Sequence, residues 1–448
     1  MWIFCGLFSL EIRQTNLIFM IPYLKSHPEM KKHLIAAFAL FSLCVNTLHA
    51  QQPVRCASED YKQQKLAQDP SLQAAIDAEE QAAAQFAIDH PNGYQTRSTI
   101  TIPVIWHIVY ANSTQNISSA RIQAQMDVLN KDYRKLNTDT NLIPAIWKPI
   151  AADCEINFCL ASRTPSGAWT DGIERHSTTV SSWGTNDNMK HTSSGGADIW
   201  DKTKYLNIWV CNLSNGILGY STFPPGNASE DGVVLSYQYV GTTGASAPYN
   251  KGRTATHEIG HWLNMRHIWA DDGTSCSQSD GVNDTPNQGG ENYGTPTFPH
   301  TDACSPNSPG VMFMNYMDYT DDRAMFMFTA GQKTRMWATL NGSRLSLQTS
   351  NGCVAPLGIA QSTLQGVFSI APSPTTGAFT LNFGNGSPQQ FDVVIYNILG
   401  EQVYFQHYDA LNEAELHLNL QGNPSGIYLV EVISSEGRTA KRIVLDRQ

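Results

Sequence analysis

The chain has 448 residues, enough for two or three domains, and a composition ordinary for a globular protein. Its net charge of −10 comes with no basic stripe, which excludes nucleic acid as an expected partner. No internal apolar run is long enough to span a bilayer, so the mature form is expected to carry no transmembrane helix.

In chain order, Met30-Lys-Lys precedes the apolar run L-I-A-A-F-A-L-F-S-L-C-V and a small residue, Ala50. This is the pattern of a secretory signal peptide, with translation expected to start at Met30 rather than Met1. Cys44 follows Leu43 rather than a small residue, so no lipoprotein anchor is expected. Removing the leader takes Cys5 and Cys44 with it and leaves seven cysteines: Cys56, Cys154, Cys159, Cys211, Cys276, Cys304 and Cys353. An exported chain can form disulfides, and an odd count leaves one thiol over.

Residues 51–96 are rich in Ala, Gln and Glu, strong helix formers, and end at Pro91-Asn-Gly. They read as a segment too thin to hold a core of its own. From Thr99, T-I-T-I-P-V-I-W-H-I-V-Y reads as a buried strand, and Ser118 to Asn137 as an amphipathic helix. C-E-I-N-F-C-L-A, Y-L-N-I-W-V-C-N-L and D-G-V-V-L-S-Y read as further strands, giving an α/β unit with a mixed sheet. A long tract from Ala270 to Asp322, full of Gly, Pro, Asp, Asn and Ser, is expected only where function, disulfides or ions hold it. After Cys353 and a linker, F-T-L-N-F, F-D-V-V-I-Y-N and I-Y-L-V-E-V-I are short alternating strands of a β-sandwich.

Between the strands and the loop tract lies H-E-I-G-H-W-L-N-M-R-H, His257 to His267. On a helix, His257 and His261 share a face and can converge on one ion. Ten residues of helix advance about 15 Å, so His267 joins them only if the helix stops near Asn264 and the chain folds back. Asparagine is second to glycine in the left-handed position that such a stop requires.

This string, followed by M-N-Y-M-D-Y-T-D-D at Met314 to Asp322, resembles the metzincin signature and its Met-turn. With the flanking Ile268-Trp269 it is similar to the pappalysin family of metzincins, especially the ulilysin-like bacterial and archaeal members, over about Arg97 to Cys353. The resemblance implies an α/β (α+β), zincin-like catalytic domain with a twisted mixed sheet and an active-site helix, ahead of the all-β sandwich. It implies a zinc endopeptidase acting on protein or peptide substrates, with His257, His261 and His267 as zinc ligands and Glu258 as general base. Tyr319 takes the position of an oxyanion donor, Met317 that of the methionine under the metal, and Asp322 that of an S1′ acid selecting Arg or Lys after the scissile bond.

Family members use a cysteine switch, and Cys56, in V-R-C-A-S, is the matching leftover thiol. Q-T-R-S-T then places activation cleavage at Thr96–Arg97. The family carries calcium in the loop from Asp271 to Pro286, with Asp280, Asp284 and Thr285 as candidates; the same groups also suit hydrogen-bonded turns. Cys276 and Cys304 bracket that tract and are expected to pair, while Cys154, Cys159, Cys211 and Cys353 have no assigned pairing.

Ile217 to Phe223 is expected to be an exposed edge strand on which substrate backbone pairs. The terminal segment, with P-S-P-T-T-G and V-V-I-Y-N-I-L-G-E-Q-V, resembles a type IX secretion sorting domain, which implies export machinery as a partner and a secreted or cell-surface product. The expected boundaries are 1–50 leader, 51–96 pro-segment, 97–355 catalytic domain, 356–367 linker and 368–448 sorting domain. The alternative on the same residues is a secreted zinc-containing adhesin or binding protein without proteolytic activity. Glu258 argues against it, because a structural metal site has no use for a base. A metal-dependent hydrolase of non-peptide esters or amides is a third reading.

Overall fold

Strand β1 (Ile100–Tyr110) is the spine of the larger unit. Successive side chains leave a strand on opposite faces, and here both faces are covered. Ile102, Val104, Trp106 and Ile108 enter the main core, while Ile105, His107 and Val109 are buried on the other side. Burial on two faces is why the segment reads as an unbroken apolar run. The computed structural model describes residues 53–96, 98–272, 275–356, 368–383, 390–398, 401–409, 414–434 and 437–446. The expected leader with Met30 and Ala50, Arg97, and nearly all of the expected linker lie outside them.

Two strands run parallel to β1 along one edge: β2 (Ile156–Leu160) against its first half and β3 (Ile173–Ser177) against its second. On the other edge lies β4 (Leu206–Cys211), also parallel. The last strand by position, β5 (Gly219–Ser221), is antiparallel to its neighbour β6 (Val233–Ser236), which itself runs parallel to β4. The sheet is therefore mixed, with its antiparallel member at the rim.

The helical reading of residues 51–96 resolves into two helices, α1 (Ser58–Gln68) and α2 (Leu72–Asp89). Pro70 separates them, since the residue before a proline is pushed out of the helical region, and Asp69 sits at φ −137°, ψ 88°. Of α2 only Ala83 is buried, in keeping with a segment that has no core of its own.

Helix α3 (Ser119–Asp132) starts where the Ser118 hydroxyl accepts from the Arg121 amide at 3.3 Å. It buries Ile122, Met126 and Leu129 on one stripe, each stabilising the fold by roughly 1.5–3 kcal/mol. It ends five residues before the expected Asn137, because the chain turns through Lys135 at φ 52°. Helices α4 (Arg253–Trp262) and α5 (Ala330–Asn341) complete this core, the latter opened by a reciprocal capping box between Thr329 and Gln332.

The C-terminal part has its own core of Phe379, Leu381, Val393, Ile395, Val430, Val432 and Ile443. Its sheets are β10–β9–β12–β13 (Gln402–Tyr408, Phe391–Asn397, Gly426–Ser434, Gly437–Leu445) and β11–β8–β7 (Glu415–Asn419, Ala378–Asn382, Ser369–Ala371). Of the strands not named from the sequence, β7 has only three residues and Q-V-Y-F-Q-H-Y of β10 lacks a clean alternation. Among the described residues no helix is long and apolar enough to cross a membrane.

Candidate active site

Helix α4 stops where the spacing requires. Asn264 adopts φ 67°, its amide returns to the His261 carbonyl at 2.9 Å, and the Met265 amide reaches the Gly260 carbonyl at 2.9 Å. This pair of bonds is a Schellman-type ending with asparagine in the left-handed position. The reversal carries His267 back over the helix. The Nε2 atoms of His257, His261 and His267 then lie 3.0–3.3 Å apart.

Each ring's other nitrogen is tied off. Nδ1 of His257 donates to the Tyr316 carbonyl at 2.7 Å, that of His261 to the Met265 carbonyl at 2.8 Å, and that of His267 to the Asp271 carboxylate at 2.7 Å. The protons are thus on Nδ1, and three Nε2 lone pairs face one another in a buried space. Burial, and then the neighbouring rings, hold His257 and His261 well below the usual imidazole range, hence neutral. Three converging acceptors are stable only around a cation. Tetrahedral coordination at about 2.0–2.1 Å would set the nitrogens about 3.3 Å apart, so the residues fit a divalent transition metal.

Around this triad the structure gathers most of the other singled-out residues. The Cys56 thiol is close enough to the three imidazoles to be a fourth ligand, and it donates towards Glu258 Oε2 at 3.5 Å. Ser58 donates to the same oxygen at 2.7 Å, while Glu258 Oε1 has no hydrogen-bond partner among the described residues. Burial pushes the Glu258 carboxyl up to about 7. The Tyr319 hydroxyl donates to the Cys56 carbonyl at 3.3 Å, and its ring stands edge-on to His267 at 4.9 Å between centroids.

Met317 is fully buried below α4, and a Cβ on Gly260 would lie 2.5 Å from its sulfur. A Cβ on Gly219 would likewise meet the Glu258 side chain at 2.9 Å. The site thus depends on two glycines and on Ser58, none of which the sequence motif singles out.

Asp322 is buried 267 positions from its partner in sequence, the guanidinium of Arg55, with Nη2 to Oδ1 at 3.0 Å. Its other oxygen accepts from the amides of Lys251 at 2.8 Å and Arg253 at 3.2 Å. Arg55 immediately precedes Cys56, so one short segment fills both the metal face and the acidic pocket. The arginine was readable beside the cysteine, but only the fold shows what it meets.

Two expectations need correction. The stretch Ile217 to Phe223 contains β5 and lies at the sheet edge, but it is not exposed: Val54 and Ala57 hydrogen-bond to Gly216, Leu218 and Gly219 along it. The thiol count is also different. Cys276–Cys304 is a disulfide and so is Cys159–Cys353, leaving Cys56, Cys154 and Cys211 unpaired, all buried, rather than one leftover. Cys154 and Cys211 sit in separate parts of the core, where burial pushes their thiols up and keeps them inert.

The loop candidates for calcium each also meet protein groups. Asp280 accepts from Thr285 and the Val282 amide, whereas Asp284 accepts from the Thr329 hydroxyl and the Gly331 amide at the start of α5. Asp284 thus has a helix-capping task that the sequence did not suggest. Thr96 is part-exposed beside an exposed Ser98, and Arg97 lies outside the described residues.

A family model described as pregnancy-associated plasma protein-A matches residues 190–341, and one described as a secretion system C-terminal sorting domain matches residues 369–446. An extracellular metalloprotease of Arthroderma benhamiae is 31% identical over 242 residues, spanning 53% of this chain and 76% of the relative. One from Pyricularia oryzae is 30% identical over 311 residues, spanning 67% and 93%. Among solved structures, mature mirolysin of Tannerella forsythia with a cleaved peptide is 49% identical, with a TM-score of 0.57, covering 59% of this chain and 100% of that one. A mutant of promirolysin from the same organism is 46% identical, with a TM-score of 0.61, covering 65% and 96%.

Proposed function

Because the chain belongs to the pappalysin family of secreted metallopeptidases, we propose that it is made as a latent zinc endopeptidase that cleaves before arginine or lysine. The observation that carries this reading is the convergence of three Nδ1-protonated imidazoles beside a buried glutamate. We take residues 51–96 as the pro-segment, 97–355 as the catalytic domain and 368–448 as the export signal.

His257, His261 and His267 would hold the zinc, which when bound supplies Lewis acidity to a water and to the scissile carbonyl. Glu258 takes the proton of the attacking water and passes it to the leaving amine. Tyr319 donates to the carbonyl oxygen as charge develops there, a task supported by the bond it already makes to the Cys56 carbonyl. Met317 closes the floor.

Asp322 is proposed to receive the side chain after the scissile bond. Arg55 supports this reading, since its guanidinium is buried against Asp322 as that of such a residue would be. Cys56 is proposed as the switch. Burial and Glu258 by themselves keep it a thiol, and a bound cation reverses that balance. Autolysis at Thr96–Arg97 would follow from the same preference. Calcium at Asp280, Asp284 and Thr285 is proposed as a structural ion, tested by whether chelation at fixed zinc lowers the melting temperature.

A peptide-library digest with the activated enzyme tests the reading directly. Arg and Lys should dominate the position after the cut, and Glu258→Ala should lower kcat/KM by about 10²–10⁴-fold. Full activity in that variant would end the assignment.

A further inference from the structure

We propose a second divalent-cation site, separate from the histidine triad, formed by His107, Glu174 and His176 where β3 joins β1. His107 and Glu174 are directly opposite in the parallel register, and His176 lies two residues along, on the same face. One ligand atom from each of the three falls within 4.8 Å of the others.

The hydrogen-bond network around Asn207 fixes the tautomer of His107. The Asn207 amide nitrogen donates to the Trp200 carbonyl at 3.0 Å and to the Tyr205 carbonyl at 3.4 Å. Its oxygen must then be the atom that accepts from the Trp200 amide at 2.8 Å and faces His107 Nε2 at 2.9 Å. His107 Nε2 therefore carries a proton. The ring is completely buried and stacked on Trp209, with centroids 5.0 Å apart, so it cannot turn to offer the other nitrogen.

Nδ1 is left facing the Glu174 carboxylate at 3.1 Å, and that same oxygen lies 3.4 Å from His176 Nε2. A neutral imidazole would set a lone pair against a carboxylate oxygen, which is stable only with a cation between them. Separations of 3.1 and 3.4 Å are those of neighbouring ligands in a tetrahedral site with bonds of about 2.0–2.1 Å. A histidine whose remote N–H is held by an amide oxygen is the usual arrangement of a metal ligand.

Glu174 and His176 are each about one-third exposed, with side-chain accessibilities of 34% and 31%, so the ion can enter and keep a water. Two nitrogens and one carboxylate oxygen suit zinc better than calcium or magnesium. Bound there, the ion would tie β3 to the sheet by more than its single ladder with β1.

The competing arrangement is a doubly protonated His107 in a plain ion pair with Glu174. Zinc stoichiometry of the full-length chain, after equilibration with zinc alone and gel filtration, separates the two. Glu174→Gln and His176→Ala should each bind one equivalent fewer than the wild type, with peptidase activity after activation unchanged. The difference between the proteins, not the total, carries the result, so it stands apart from the fate of the histidine triad. Equal stoichiometry in wild type and variants overturns the site. Histidine-ring ¹H–¹⁵N spectra of the wild type give a second measure that needs no variant. His107 Nδ1 should shift on adding zinc, and a ring that keeps both protons with zinc present also overturns it.

Discussion

Asn264 is the residue on which the geometry of the site turns. Its left-handed conformation costs a residue with an ordinary Cβ about 1–2 kcal/mol, and asparagine tolerates it better than most. Its side-chain nitrogen, however, is buried and has no partner among the described residues. Asn264→Ala keeps the backbone cost of about 1–2 kcal/mol but also removes that amide, whose loss recovers about 1–3 kcal/mol, so its net change should be small and it should be less stable than a glycine variant. Asn264→Gly should be neutral or stabilising, because removing an unsatisfied amide recovers about 1–3 kcal/mol against about 0.5–1 kcal/mol of glycine entropy. Thermal unfolding of the two variants checks the order, and a glycine variant less stable than the alanine one would contradict it. Gly260 behaves differently. Alanine there improves helix propensity by about 1 kcal/mol, but its Cβ would sit 2.5 Å from the Met317 sulfur. Gly260→Ala is expected to displace that methionine and weaken zinc binding, read by competition with a chromogenic chelator.

At the scale of elements, Val54 and Ala57, in the segment proposed as the pro-segment, bond along β5, the edge proposed to pair with substrate. That segment's hold is uneven. Val54 and Ala57 make backbone bonds that any sequence could approximate, whereas Ser58 bonds through its hydroxyl and Arg55 is completely buried against Asp322. Removing one partner of such a pair costs about 3–5 kcal/mol, because the other charge is left buried alone. Arg55→Ala is thus expected to loosen latency, seen as faster autoactivation of the full chain with no change in the mature enzyme's kcat. Asp322→Asn should act on both sides, weakening the pro-segment and lowering kcat/KM for arginine substrates by about two to three orders of magnitude. Retention of the full arginine preference in that variant would place the specificity pocket elsewhere.

Over the whole molecule, Cys159–Cys353 ties β2 to the end of the catalytic region across 194 residues. In the chain-entropy account a loop of that length stabilises by about 5 kcal/mol, towards the upper end of what native disulfides provide. Replacing both cysteines by serine should lower stability by about 2–5 kcal/mol, measured by denaturant unfolding. The Cys276–Cys304 loop spans only 28 residues, so its removal should cost less globally and act mainly on the long tract before the Met-turn. The C-terminal sandwich has its own core and matches a sorting domain, so deletion from Phe368 onward should leave the catalytic region folded but retained in the periplasm. Fractionation of the producing cells reads this outcome.

The sequence by itself determined the features whose signals lie within a dozen residues. They are the helix bearing His257 and His261, its stop at Asn264, the alternating strands of the tail and the buried spine at Thr99 to Tyr110. Each follows from a local period or a local backbone preference. What only the tertiary structure decided is non-local: Arg55 against Asp322, Val54 and Ala57 along β5, the Cys159–Cys353 pairing, Asp284 capping α5 and the His107 cluster. None has a periodic signature, because each joins groups tens to hundreds of residues apart whose meeting is set by sheet order and register. A short segment can specify its own turn, but not the partner that the rest of the chain brings to it.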